Sequence, residues 1–183
     1  MTTHAAELVP HPACARDSIR VSASIEAAAS SSFLIFRFRV EGDVVSLHLP
    51  ASGSLRRRDG LWQHSCFEAF LRPDASHAYH EFNFAPSGDW AAYRFEGPRN
   101  GRTEPDAPAP AIEFSRGKDA CDLSARVSVA AFPELARADA IDVGLAAVLE
   151  YDDGRLSYWA LAHAGEKPDF HDAAGFRIRV GTP

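Results

Sequence analysis

Apolar and polar residues alternate one by one along much of this chain. Ile19, Val21, Ala23 and Ile25 are separated by Arg20, Ser22 and Ser24, and Phe36, Phe38 and Val40 by Arg37 and Arg39. The pattern returns at Val45, Leu47 and Leu49, again from Cys121 to Val129, and finally at Phe176, Ile178 and Val180. A period of two puts one set of side chains into a core and the other into water, the pattern of a half-buried β-strand. Turn chemistry separates the runs: Glu41-Gly42-Asp43, Asp59-Gly60, Pro86-Ser87-Gly88-Asp89 and Asp152-Asp153-Gly154. The last of these predicts a hairpin. The best helical stretch is a turn or two at Pro133-Glu134-Leu135-Ala136, where Pro suits a first helical position. About ten short strands with regular turns predict an all-β antiparallel β-sandwich.

The 183 residues suffice for one domain with a core of its own. Residues 1–16, rich in Ala and Pro, read as an extended N-terminal segment, and 17–183 as a single domain. Gly97 to Pro110 carries four prolines and reads as a long loop. The net charge is −6, and the main basic cluster is Arg56-Arg57-Arg58, next to an Asp-Gly turn. Nucleic acid is therefore not an expected partner. No stretch approaches 18 consecutive apolar residues, so no membrane span is expected. Three cysteines without metal-type spacing, and a start lacking a signal-peptide pattern, predict reduced thiols and a cytoplasmic protein.

The chemically richest stretch runs from Leu61 to Phe95. If Phe67, Ala69 and Leu71 face the core, then Trp62, His64, Cys66, Glu68 and Phe70 share the other face. Phe82 and Phe84 pointing inward leave Tyr79, Glu81 and Asn83 opposite. With Tyr93 and Phe95 also taken as inward, Trp90 and Arg94 join that polar face. Carboxylate, amide and guanidinium groups beside flat rings suit a polyol, whose hydroxyls need charged acceptors and planar donors. A second segment, Tyr158 to His171, offers Trp159 and His163 on one face, then Lys167, Asp169 and His171 on a loop stiffened by Pro168. Each of these residues also has a plain structural reading: core for the tryptophans, an exposed or paired strand position for the glutamates. No nucleophile elbow, phosphate loop or HExxH motif accompanies them. The expectation is a non-enzymatic module binding a small carbohydrate or similar polar ligand. Haem or metal binding is the alternative, and an acid/base enzyme acting on a sugar derivative is a third.

The segments Leu61–Phe70 and Tyr79–Trp90 resemble the DOMON-like superfamily, which includes family 9 carbohydrate-binding modules. The resemblance rests on Trp62, Glu68, Asn83, Pro86 and Gly88, and it extends over roughly residues 15 to 181 through Tyr158–Leu161 and Pro168–His171. It implies a β-sandwich of about ten strands that binds sugar or haem. Family 9 modules carry an acidic pair after the Trp, where this chain has His64-Ser65, the positions that bear on hydroxyl-binding or calcium-linked residues. Haem-binding members use a Met–His axial pair, but the only methionine here is Met1. A haem site would then be bis-His, drawn from His64, His80, His163 and His171.

Overall fold

In the computed structural model, residues 2–14, 18–27, 32–50, 53 and 55–182 are described. These described residues form eleven antiparallel strands: β1 (Thr2–Pro10), β2 (Arg20–Ala27), β3 (Phe33–Glu41), β4 (Cys66–Pro73), β5 (Tyr79–Phe84), β6 (Trp90–Phe95), β7 (Ala111–Arg116), β8 (Ala120–Ser128), β9 (Ala140–Glu150), β10 (Leu156–Ala160) and β11 (Ile178–Gly181). A short helix, α1 (Pro133–Ala136), begins on its proline. The strands run in the order β6-β5-β4-β9-β10-β1-β2-β3-β8-β7, with β11 beside β9.

This curled sheet folds on itself into a sandwich, and β1 is the crease. Thr2–Leu8 pairs with β2, while Val9 and Pro10 pair with β10 in the other layer. The N-terminal segment, expected to lie extended, is thus an integral strand up to Pro10; residues 15–17 lie outside the described residues. The alternating side chains of β2, β3 and β8 meet those of β4, β5 and β9 in the principal core. Phe36 stacks on Phe84 at 5.9 Å between ring centroids, and Phe38 lies 5.1 Å from Phe67. Each such ring removes about 1.5–3 kcal/mol worth of apolar surface from water.

One predicted strand does not form. Val44–Ser46 is a 3-10 turn, and only Leu47 makes a ladder contact, an isolated bridge to Tyr151. The turn buries Val44 and Leu47, and Val45 is left 62% exposed.

The layer β6-β5-β4-β9-β10 is buried on both faces, since every residue of β5 is buried and all but one of β4. Its outer face carries a second cluster, Phe70, Tyr79, Ala91, Tyr93, Phe95, Ala146 and Ala160, covered by Leu61, Trp62, Phe170 and Phe176. Close approach of the covering segment depends on Gly144 of β9. A Cβ there would meet the Gly175 carbonyl at 3.2 Å and Phe70 Cβ at 3.4 Å. The candidate site lies between this outer face and its cover.

Candidate functional site

The outer face holds a cavity of about 300 Å3. Its floor is Glu68 of β4, Glu81 of β5, Tyr93 and Phe95 of β6, Val148 of β9 and Tyr158 of β10. Its walls come from three connections. Trp62 sits on the 3-10 turn Leu61–Gln63, Arg99 and Arg102 on the loop after β6, and Pro168, Phe170 and His171 on the loop after β10.

Both carboxyls are almost completely buried, Glu68 at 3% and Glu81 at 4% exposure. Across the ladder Glu68 stands opposite Asn83, and Phe70 opposite Glu81. The Asn83 amide nitrogen donates to Glu81 Oε1 at 2.6 Å, and its oxygen accepts from the Cys66 thiol at 3.4 Å. Glu68 Oε1 is buried without a hydrogen-bond partner. Burial and the neighbouring Glu81 push the Glu68 carboxyl well above the usual range. Burial likewise raises Glu81, to about 6, against the opposing pull of the Asn83 hydrogen bond and of Arg102 and Arg99.

His171 is boxed by Phe70, Phe95 and Tyr79, at 5.0–5.9 Å between ring centroids. Its Nδ1 lies 2.7 Å from the Tyr79 hydroxyl, which also receives the backbone N–H of Arg99 at 3.3 Å. All three groups are satisfied if Tyr79 accepts from Arg99 and donates to Nδ1. His171 then carries its proton on Nε2, which faces Glu81 Oε2 at 3.7 Å. Burial, reinforced by Arg99, pulls the imidazole down to about 4, so it is neutral near pH 7. The wall arginines are engaged by other acids: Arg99 with Asp169 at 2.9 Å, and Arg102 with Asp59 at 2.8 Å and Glu104 at 3.5 Å. Arg102 also lies over the Tyr93 ring at 4.3 Å.

Of the residues singled out in the sequence, Trp62, Glu68, Glu81 and His171 converge on this cavity. Asn83 does not line the cavity but is buried beside Glu81 and orients it, and Asp169 holds Arg99 at the wall. The others lie elsewhere. His64 is on a loop, its Nδ1 2.8 Å from Glu150. His163 contacts the Val9 carbonyl at 3.0 Å, and Lys167 is exposed.

Trp90, Arg94 and Trp159 are corrected to the opposite face. Trp159 packs in the principal core, its indole N–H donating to Ser157 at 2.9 Å, and neither it nor His163 lines the cavity. On β6, Trp90 also joins that core, and Arg94 forms a two-pronged pair with Glu134 of α1. The cause is a register step of one residue. A four-residue turn over 86–89 would set Glu81 opposite Arg94. In the structure Ala85 belongs to the turn as well, its N–H donating to Asp89 O and its carbonyl accepting from Gly88 N–H, which stands at φ +87°. Glu81 therefore faces Tyr93, and Tyr93 and Phe95 point into the cavity rather than the core.

Sequence reasoning also missed Arg99, Arg102, Tyr158 and Phe170. Tyr158 was available from parity, being the odd partner of Trp159; the arginines sit in a Pro-rich loop with no periodic signal. The Arg56–Arg58 run serves as a brace. Arg57 donates to the Ala92 and Pro105 carbonyls, and Arg58 pairs with Asp89.

The four histidines considered for a bis-His site are not gathered. His64 and His163 are placed as above, His80 lies against Phe132 and Glu134, and only His171 lines the cavity. These positions do not make a bis-His pair. Among the described residues no group of three His, Cys, Asp or Glu side chains is placed to hold a metal ion. Among them, too, no helix is long and apolar enough to cross a membrane.

Scans against protein-family models and against characterised proteins return no match. Among solved structures the chain is similar to a candidate carbohydrate-binding protein from Bacteroides uniformis ATCC 8492. The identity is 19% and the TM-score 0.67, over 94% of this chain and 84% of that one. A family 9 carbohydrate-binding module from Caldicellulosiruptor kristjanssonii, solved with glucose, aligns at 13% identity and TM-score 0.48, over 80% of this chain and 69% of that one. The first of these likenesses shows a shared fold.

Proposed function

We propose that the cavity on the outer face of β4, β5, β6, β9 and β10 binds a small carbohydrate or closely related polyhydroxylated ligand. The observation that carries this reading is the buried Glu68 carboxyl, its Oε1 unpartnered, on the floor of a ring-lined cavity. A volume of about 300 Å3 is at the small end for ligand sites, which suits one sugar ring. Glu68, Glu81 and the His171 Nε2–H supply acceptors and a donor for hydroxyls, and Trp62, Tyr93, Tyr158 and Phe170 supply flat apolar faces. Covering ~60 Å2 of ring surface contributes ~1.5 kcal/mol. Two such faces with a few hydrogen bonds give an expected Kd between about 10 µM and 1 mM. The sandwich shared with the Bacteroides uniformis protein is compatible with this role. So is the resemblance of the Trp62–Trp90 stretch to DOMON-like and family 9 modules, which we take as this chain's relationship.

Titration with a panel of mono- and disaccharides, followed by calorimetry and tryptophan fluorescence, tests the proposal. A saturable signal from at least one sugar, lost in Trp62→Ala, is expected; flat responses throughout would sink it.

One observation favours a second reading, acid/base catalysis on a glycoside. Two buried carboxyls, both held above the ordinary carboxylate range, share one cavity, and paired carboxyls are the equipment of acid/base chemistry. Binding is preferred because Glu68 and Glu81 rise from adjacent strands on the same side of anything bound above them. Glycoside cleavage places its carboxyls on either flank of the scissile bond. Release of nitrophenol from nitrophenyl glycosides, abolished in Glu68→Gln, would reverse that preference.

A further inference from the structure

Glu68 interrupts an apolar strand, faces the cavity, and has a buried oxygen that no donor satisfies. Its diagonal neighbour Glu81 is a second buried carboxyl, already bonded through Oε1 to Asn83. The wall arginines act on this floor only through space, because Arg99 is paired with Asp169, and Arg102 with Asp59 and Glu104, and neither bonds Glu68 Oε1. His171, the remaining basic group at the cavity, is enclosed by aromatic rings and bonded to Tyr79. A neutral hydroxyl would satisfy Glu68 Oε1 but bring no charge to the two neighbouring carboxyls. An ammonium group offers three donors and a positive charge at the same point. The surroundings suit it as well, since the rings of Trp62, Tyr93, Tyr158 and Phe170 line the same small space and aromatic faces attract cations.

We infer that the sugar taken by this cavity is an amino sugar, its ammonium seated on Glu68 beside Glu81 with the ring against the aromatic wall. The inference rests on the saccharide reading above and names the group that the site selects. The amine is the discriminating element, because a charge-assisted hydrogen bond in a dry site is stronger than a neutral one. N-acetylation removes both the charge and two of the donors, and should remove the preference.

Matched ligands on the wild-type protein decide it. Calorimetric titration at pH 7 compares glucose, glucosamine and N-acetylglucosamine, with the galactose and mannose series alongside. In at least one series the free amine is expected to bind about tenfold tighter than its hexose and its N-acetyl form. Glu68→Gln, checked for folding by circular dichroism, is expected to erase that margin, weakening the free amine about tenfold more than its hexose or N-acetyl form. Trp62→Ala should weaken amine and hexose together. Hexoses binding as tightly as hexosamines in every series would overturn the amino-sugar inference and leave the saccharide reading standing. Failure of every sugar in the panel would overturn both, and so would capture of a plain amine such as cyclohexylamine with no sugar bound.

Discussion

Glu68 and Asn83 stand directly opposite each other on β4 and β5, yet the Asn83 amide donates to Glu81 and leaves Glu68 Oε1 without a partner. An amide placed to satisfy either carboxyl holds one in place and leaves the other for whatever enters the cavity.

Replacing Glu68 by leucine should therefore stabilise the protein. A buried unsatisfied polar group costs about 1–3 kcal/mol, and an apolar side chain of similar length would pack against Phe70 and Val148. We expect the urea midpoint to rise by the equivalent of ~1–2 kcal/mol while ligand binding is lost, the usual opposition of stability and function at a site. A loss of stability in Glu68→Leu would show that the carboxyl is supported in solution by a partner such as ordered water.

Asn83→Leu should do the reverse. It removes the donor to Glu81 Oε1 and the acceptor for the Cys66 thiol in a fully buried position. The stability loss is expected to be ~1–3 kcal/mol. Because that hydrogen bond opposes the effect of burial on Glu81, the carboxyl should titrate above about 6 in the variant. Carbon-13 NMR titration of the glutamate carboxyls reads this directly; an unmoved Glu81 resonance would rule the explanation out.

The alternation that begins at Ile19 was enough to read the sandwich, because β2, β3 and β8 each bury one face and leave the other in water. It was least informative where the site lies. The sheet around β4 and β5 is covered on both sides, so parity separates two buried faces without saying which holds the cavity. On β6 even the separation failed, since both its faces carry aromatic rings and the turn lengthened by Ala85 shifts the register by one. Glu68 was legible as a charged residue inside an apolar run. Arg99 and Arg102 were not, because loop residues reach the site through tertiary packing rather than through any period in the sequence.

The three tryptophans divide by role, which fluorescence can exploit. Trp90 and Trp159 are each 5% exposed in the principal core, and Trp62 is at the cavity wall. Trp159→Ala should cost ~3–5 kcal/mol, the usual penalty for truncating a large core side chain. Trp62→Phe should change stability by less than ~1 kcal/mol and remove most of the ligand-dependent quenching. Quenching retained in Trp62→Phe would place the ligand elsewhere.

Two buried groups at the cavity should pull stability in opposite directions on acidification. Glu81 is raised from 4.5 to about 6, so its contribution is present below pH 4.5 and lost as pH rises through about 6. His171 is lowered from 6.5 to about 4, so its contribution is present above pH 6.5 and lost as pH falls through about 4. The shifts correspond to ~2 kcal/mol for the carboxyl and ~3 kcal/mol for the imidazole. Between pH 6.5 and 4.5 the two largely offset each other in the wild type. Glu81→Gln keeps the acceptor for Asn83 but cannot take up the proton, so its unfolding free energy should fall by ~1.5 kcal/mol more than wild type between pH 7.5 and 4.5. His171→Gln, unable to charge, should lose less than wild type over the same interval. Urea denaturation of the three proteins at the two pH values measures both differences, and parallel pH profiles would show that neither group titrates as its surroundings dictate.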